Sequence, residues 1–110
     1  MKEEQRSALR ERILDRKVEV DIRIAELEEL TKPIAPDKGL GRLTRLEAMQ
    51  DKSVNEAALE RMRDEQTALH NALANIMMPS FGVCASCGEP IPFERLEVLP
   101  ASTLCAKCAG

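Results

Sequence analysis

Four cysteines near the carboxyl end of the chain are the residues with the most specific chemistry. They form two CxxC pairs, Cys84 with Cys87 and Cys105 with Cys108, and 17 residues separate the pairs. Two thiolates three positions apart can bind one ion from a tight turn, and two such turns complete a sulfur tetrahedron around Zn²⁺. Because protein sulfur fills all four positions, the spacing predicts one structural zinc ion rather than a catalytic one.

Two other states of these thiols are compatible with the spacing, namely a pair of disulfides or free thiols that respond to redox changes. The chain begins Met1-Lys2-Glu3-Glu4 and shows no hydrophobic stretch that resembles a signal peptide, so we expect a cytoplasmic, reducing environment. Clustered cysteines in that compartment are more often metal ligands than disulfides. The cysteine segment can bury little apolar surface, and we therefore expect its folding to be coupled to zinc binding.

The composition limits the remaining chemistry. The chain has 110 residues, of which 44% are hydrophobic and 32% charged, with no Trp or Tyr and a formal net charge of −3. It fits one small protein stabilised by aliphatic residues, and it lacks the basic excess of a protein that coats nucleic acid. No apolar run has the length of a membrane span, and no catalytic triad, phosphate-binding glycine loop or pair of catalytic carboxylates is evident. We expect neither a membrane protein nor an enzyme.

The first 30 residues predict a long helix. No Gly or Pro occurs from Met1 to Leu30, and apolar side chains recur at helical spacing on one face. These side chains are Leu9, Ile13, Val20, Ile24 and Leu27. A single helix cannot bury such a stripe by itself, so a partner helix must lie downstream.

A second apolar series at helical intervals supplies that partner. Its members are Leu43, Leu46, Val54, Ala58, Met62, Leu69, Leu73 and Ile76. We expect this helix to run from Thr44 to Met78, starting at a capping box of Thr44 and Glu47, with a start at Ser53 as the alternative. The predicted fold class is mainly α, a long antiparallel two-helix coiled-coil hairpin followed by a small carboxyl-terminal four-cysteine zinc finger.

A break between the helices forms the predicted tip of the hairpin. Residues 31–43 contain two prolines and two glycines, which stop a helix. From Lys32 to Arg45 there are four basic residues and one acid, a local charge of +3 in a chain that is negative overall. We therefore predict a coiled-coil hairpin at residues 1–78 with a basic tip loop at 31–43, and a zinc finger at residues 79–110.

The cysteine segment resembles a known family. Cys84-Ala85-Ser86-Cys87-Gly88 and Cys105-Ala106-Lys107-Cys108 resemble the C4-type zinc finger of the DksA/TraR family of bacterial transcription regulators. The residues that match the motif besides the ligands are Gly88, Ile91, Arg95, Leu96 and Pro100. Gly88 suits the turn after the first pair, and we expect Arg95 to bond carbonyl groups beside the cysteines or to pair with a nearby acid. The long hairpin agrees with the coiled coil of that family.

The resemblance implies a regulator that binds bacterial RNA polymerase directly. In that family the coiled coil enters the secondary channel of the polymerase and places its tip near the active site, which modulates initiation. In this chain the polymerase-facing tip residues would be Asp37, Lys38, Arg42 and Arg45. Well-known members carry two acids at the tip, whereas this chain has only Asp37. One carboxylate cannot build an Mg²⁺ site, so we expect no promotion of transcript cleavage.

The sequence is also compatible with other functions. The protein could be a zinc-finger adaptor that binds a different protein partner through its hairpin, and the tip could be a solvated loop whose charges pair locally. We expect no sequence-specific DNA binding, because Phe81 to Gly110 contains two basic and three acidic residues. Family members that respond to guanosine tetraphosphate carry basic residues at the positions of Leu99 and Ala109, so we expect weak or no response.

Overall fold

Two long helices and two short ones follow one another along the chain. The structure is a computed structural model that describes residues 1–33 and 42–109, with residues 42 and 43 described by their backbone only. Helix α1 spans Glu3–Leu30 and α2 spans Arg42–Asn75. Helices α3 at Phe93–Val98 and α4 at Ala106–Ala109 follow. The predicted class, a helical hairpin followed by a four-cysteine finger, is confirmed.

Helix α1 begins and ends as its sequence dictates. The backbone N–H of Lys2 donates to Gln5 Oε1 at 3.1 Å. The two acidic residues of the first turn interact favourably with the positive end of the helix dipole and so stabilise the start of the helix. At the other end the Thr31 hydroxyl donates to the Leu27 carbonyl at 2.8 Å, shortly before Pro33. The buried residues of the helix are the five predicted ones, Leu9, Ile13, Val20, Ile24 and Leu27.

The register of the hairpin explains where the predicted core of α2 is wrong. Side chains near the carboxyl end of α1 meet the middle of α2, since Arg63 Nη2 lies 3.5 Å from Glu28 Oε1. Because α1 ends at Leu30, the first turns of α2 extend past it and have no α1 residues opposite them. Leu46 and Val54, which were predicted to be core residues, are accordingly 50% and 67% exposed.

The buried face of α2 lies further along the helix. Leu59, Leu69 and Ile76 are buried, and further apolar residues, Ala58, Met62, Ala72 and Leu73, pack against them. Leu59 is absent from the predicted series, which contains its neighbour Ala58 instead. Leu43, the first member of that series, belongs to α2 but is described by its backbone only.

The base of the hairpin is joined to the finger, since Arg12 Nε of α1 donates to the Glu97 carbonyl of α3 at 3.2 Å. Arg6 Nη1 donates to the carbonyl oxygens of Ile76 at 2.5 Å and Met78 at 3.0 Å, which lie just beyond α2. Helix α2 ends at Asn75 rather than at Met78, because residues before a proline disfavour helical backbone and Pro79 follows. The molecule measures 61 × 26 × 18 Å, so the finger lies at one end of an elongated body. Among the described residues, no helix is both long enough and apolar enough to span a membrane.

Candidate metal centre

The four cysteine sulfurs converge on one point. All four Sγ atoms lie within 4.8 Å of one another, and Cys87 Sγ is 3.6 Å from Cys105 Sγ. A tetrahedron with Zn–S distances of ~2.3 Å has sulfur–sulfur edges of about 3.8 Å, so the sulfurs fit one Zn²⁺ ion. All four cysteines are free rather than joined in disulfides. The predicted ligand set of one structural zinc ion therefore fits the geometry.

The first cysteine pair lies in a turn that its backbone bonds hold closed. The Gly88 N–H donates to the Cys84 carbonyl at 3.0 Å, and the Cys84 N–H donates to the Glu89 carbonyl at 2.8 Å. Gly88 has a φ of 76°, a left-handed conformation that favours glycine over residues with a side chain. The Cys87 N–H also points at Cys84 Sγ, 3.5 Å away, and so donates to a ligand sulfur.

The second cysteine pair lies at the start of the last helix. The N–H groups of Cys108 and Ala109 donate to the Cys105 carbonyl at 3.1 Å and 2.9 Å. The two pairs are tied together directly, because the Ala85 N–H donates to the Thr103 carbonyl at 2.8 Å. Each pair therefore supplies two sulfurs from a short turn, and a backbone bond sets the distance between the turns.

The remaining motif residues form the support of the finger. Ile91, Leu96 and Pro100 are buried, and Ile91 and Leu96 share one apolar cluster with the buried Cys84. Arg95 Nε donates at 3.3 Å to the carbonyl of Leu104, the residue before the second cysteine pair. Arg95 thus bonds a carbonyl beside a ligand, while α3 supplies the apolar layer on which both turns rest.

The sulfurs differ in how readily they ionise. The pKa of Cys84 is lowered to about 6, mainly because the backbone N–H of Cys87 donates a hydrogen bond to its sulfur. The pKa of Cys105 is lowered mainly by the backbone N–H of Cys108 in the same way. The Cys105 sulfur raises the pKa of Cys108 to about 12. The N–H of Glu89 lowers the pKa of Cys87, but the sulfurs of Cys84 and Cys105 outweigh it and raise that pKa overall. The first cysteine of each pair therefore has the lower pKa of the two.

One packing relation in the finger was not foreseen from the sequence. Gly82 has a φ of 84°, and a Cβ at that position would lie 2.5 Å from Cε of Met1. The first residue of the chain therefore packs against the start of the finger. No sequence pattern relates Met1 to Gly82, because the contact follows only once the hairpin has brought both ends together.

The predicted tip residues are only partly covered by the structure. Asp37 and Lys38 lie outside the described residues, and Arg42 is described by its backbone only, as the first residue of α2. Arg45 is exposed on α2, at the end of the molecule opposite the finger. Leu99, one of the two positions behind the expected weak response to guanosine tetraphosphate, is exposed beside α3.

Comparison with known proteins agrees with this geometry. Residues 79–110 match the model of the prokaryotic DksA/TraR C4-type zinc finger. The chain is similar to the solved structure of transcription factor DksA2 from Pseudomonas aeruginosa, with 26% sequence identity and a TM-score of 0.75. That match covers 99% of this chain and 83% of the other.

A curated relative from Aquifex aeolicus (strain VF5), an uncharacterized protein, is 31% identical over 98 residues, which is 89% of this chain. The chain spans 64% of the length of that relative. The family match covers the cysteine finger, and the structural match covers the hairpin together with the finger. The chain therefore carries a DksA/TraR C4-type zinc finger at residues 79–110, on a hairpin-and-finger fold similar to that of transcription factor DksA2.

Proposed function

We propose that the protein is a cytoplasmic transcription regulator that binds bacterial RNA polymerase directly through its hairpin. The finger family and the similarity to transcription factor DksA2 support a transcription-factor-like role. The observation that carries the finer proposal is the shape of the molecule, a narrow body 61 Å long with the finger at one end. Such a body can carry a tip into a channel while its base stays outside.

Contacts between the two helices favour a hairpin that keeps its shape during insertion. Its 34-residue second helix corresponds to about 50 Å of length at 1.5 Å per residue. Arg16 and Glu65 join the two helices by a double hydrogen bond, and a continuous apolar core lies between them. We propose that residues 1–78 act as the inserted hairpin and residues 79–110 as the finger that rests on the rim of the channel.

The first turns of α2 continue past Leu30, the last residue of α1. They present exposed side chains, among them Arg45, Leu46 and Met49. We propose that Arg45, together with Asp37, Lys38 and Arg42, faces the polymerase. Basic side chains there can bind phosphates or acidic polymerase surface through charge-assisted hydrogen bonds.

The chemistry of the tip and finger limits how the protein would act. The single acid of the tip, Asp37, cannot hold Mg²⁺ alone, so we expect altered initiation without transcript cleavage. When zinc is bound it holds the finger together, and the four thiolates leave it no position for a substrate. We expect no enzymatic activity, no sequence-specific DNA binding, and weak or no response to guanosine tetraphosphate.

A competition titration tests the proposal. Zinc-loaded protein is titrated against purified bacterial RNA polymerase, with and without a second factor known to occupy the secondary channel. Saturable binding that the competitor abolishes supports insertion into the channel. Binding that the competitor leaves unchanged contradicts it and favours a different polymerase surface. A folded, zinc-loaded protein that does not bind polymerase but retains another protein from lysate is an adaptor.

Variants of the tip separate binding from regulation. Asp37→Asn and Arg45→Ala should leave polymerase affinity within about threefold of the wild type, because most of the contact area belongs to the hairpin and finger. Both should reduce the effect on initiation in a transcription assay. Arg61→Ala, which removes an exposed arginine from the same helix away from the tip, is the matched control and should change neither quantity.

A further inference from the structure

An apolar stripe lies on the outer face of α1, where neither α2 nor the finger covers it. Leu14, Val18 and Ile22 follow one another at intervals of four residues, which places them on one face of a helix. That face is opposite the buried series that packs on α2. The three side chains are 41%, 59% and 56% exposed. Single exposed apolar residues are ordinary, but a contiguous stripe marks an interaction surface.

The charges on either side of the stripe are arranged symmetrically about Glu19. Where both members of such a pair lie within α1 and are charged, residues equally far before and after Glu19 carry opposite charges. The four pairs are Arg10 with Glu28, Arg12 with Glu26, Asp15 with Arg23 and Lys17 with Asp21. By helical geometry the two members of each pair lie along the same edge of the stripe. When two identical helices lie antiparallel about a two-fold axis, each edge of the stripe in one copy lies beside the same edge in the other copy. The first member of each pair in one copy then faces the second member in the other, so opposite charges meet.

We propose that this stripe binds the same stripe of a second copy, with the two α1 helices antiparallel and the two-fold axis at Glu19. Val18 then lies beside the axis, and the apolar spans of the two copies overlap. The exposed Leu30 of one copy lies opposite the exposed Ala8 of the other. Glu19 meets its own copy at the axis, and Arg16 of the same chain donates to each Glu19 at 3.1 Å, which offsets their repulsion.

The charge pattern favours a second copy over an unrelated partner. A partner of different sequence requires complementarity to the stripe as it stands, whereas a second copy supplies opposite charges at the mirrored positions by symmetry. The stripe contains three large apolar residues, so the interface is small and the dimer is weak. We expect dissociation in the micromolar range, with monomer and dimer in rapid exchange. This inference is independent of the proposed polymerase binding.

Sedimentation equilibrium of the zinc-loaded protein, from low micromolar to near-millimolar concentration, is the first test. We expect a concentration-dependent shift of the average mass from one chain towards two. Val18→Glu places a charge in the stripe and should raise the dimer dissociation constant by about tenfold or more. Val54→Glu places the same charge on an exposed valine of α2 and is the control that should leave the constant unchanged. Circular dichroism checks that both variants keep their helices.

A charge-reversal experiment tests the antiparallel register. Asp15→Arg and Arg23→Asp should each weaken self-association, because each homodimer then opposes like charges on one edge. An equimolar mixture of the two variants should dimerise like the wild type, since every reversed residue then meets its complement in the other chain. This rescue is specific to the axis at Glu19.

Three results would overturn the inference. The first is a wild type that stays monomeric throughout the concentration range, and the second is a dimer that Val18→Glu leaves intact. The third is a mixture of Asp15→Arg and Arg23→Asp that fails to restore association. A monomeric wild type whose polymerase binding is lost in Val18→Glu would assign the stripe to the polymerase instead of a second copy.

Discussion

Arg16 and Glu65 join the two helices of the hairpin through a forked contact. Arg16 Nε lies 2.6 Å from Glu65 Oε2, and Arg16 Nη2 lies 2.8 Å from Glu65 Oε1. The hydrogen bonds that Arg16 donates to Glu65 are the main cause that raises the pKa of Arg16 above its ordinary value. Two parallel hydrogen bonds align the planar guanidinium group of Arg16 with the carboxylate of Glu65. The contact therefore sets the rotation and register of α1 against α2.

We expect Glu65→Gln to destabilise the hairpin modestly. The substitution removes the charge and one acceptor of the fork, but both side chains are about one-third exposed, which limits the loss to ~1 kcal/mol. Urea unfolding followed by circular dichroism measures it. Glu56→Gln removes an exposed carboxylate that lies 3.4 Å from Lys52 on the same helix, and should cost a few tenths of a kcal/mol at most. Equal losses in both variants would contradict a special role for the fork.

The core of α2 should respond to substitution according to the observed register. Leu69 is fully buried, so Leu69→Ala should lower the free energy of unfolding by about 2–4 kcal/mol. Leu46→Ala alters a half-exposed side chain beyond the end of α1 and should cost less than ~0.5 kcal/mol. Thermal unfolding of the two variants tests this directly. A larger effect at Leu46 would show that the first turns of α2 have an intramolecular partner.

Removal of zinc should unfold the finger and leave most of the hairpin helical. The finger holds few buried side chains, whereas structural zinc contributes on the order of 10–16 kcal/mol in finger peptides. With a strong chelator, we expect finger amide resonances to lose their dispersion while most of the far-ultraviolet circular dichroism signal remains. Finger resonances that stay dispersed after metal analysis has verified zinc loss would contradict this account.

Substitution of Gly88 should weaken zinc binding through the backbone alone. Its φ of 76° disfavours residues with a side chain, while a Cβ there would meet no atom within 4 Å. Gly88→Ala should therefore cost about 1–2 kcal/mol, or roughly tenfold in zinc affinity. Gly88→Asn should cost less, because asparagine tolerates the left-handed region. Competition with a chromogenic chelator measures the zinc affinity of the wild type and the two variants. If Gly88→Ala bound zinc as tightly as the wild type, the left-handed backbone at this position would impose no strain on a side chain.

The sequence predicts those features that depend on local spacing. The two CxxC pairs predict the metal centre because ligand spacing determines which sulfurs can share an ion. The five buried residues of α1 follow from helical periodicity. Both are confirmed as features of the fold and the finger.

Features that depend on how distant segments meet could not be predicted in this way. The exposure of Leu46 and Val54 depends on where α1 ends relative to α2, and the fork of Arg16 and Glu65 depends on the rotation of both helices. The spacing of apolar residues within one helix determines neither the position of the other helix's end nor the rotation of the two helices. The contact of Met1 with Gly82 closes only when the whole hairpin is formed.

The contacts between α1 and α2 are nested one inside the next. Glu28 meets Arg63 nearest the turn, Arg16 meets Glu65 further out, and Arg6 bonds the carbonyl of Ile76 at the base. Formation of the inner contact leaves only a short additional loop for each outer one to close, which keeps the entropic cost of every step small. The hairpin can therefore fold as a zipper that closes from the turn towards the finger. It should also open in the reverse order, so that heating separates Arg6 from Ile76 before it separates Glu28 from Arg63.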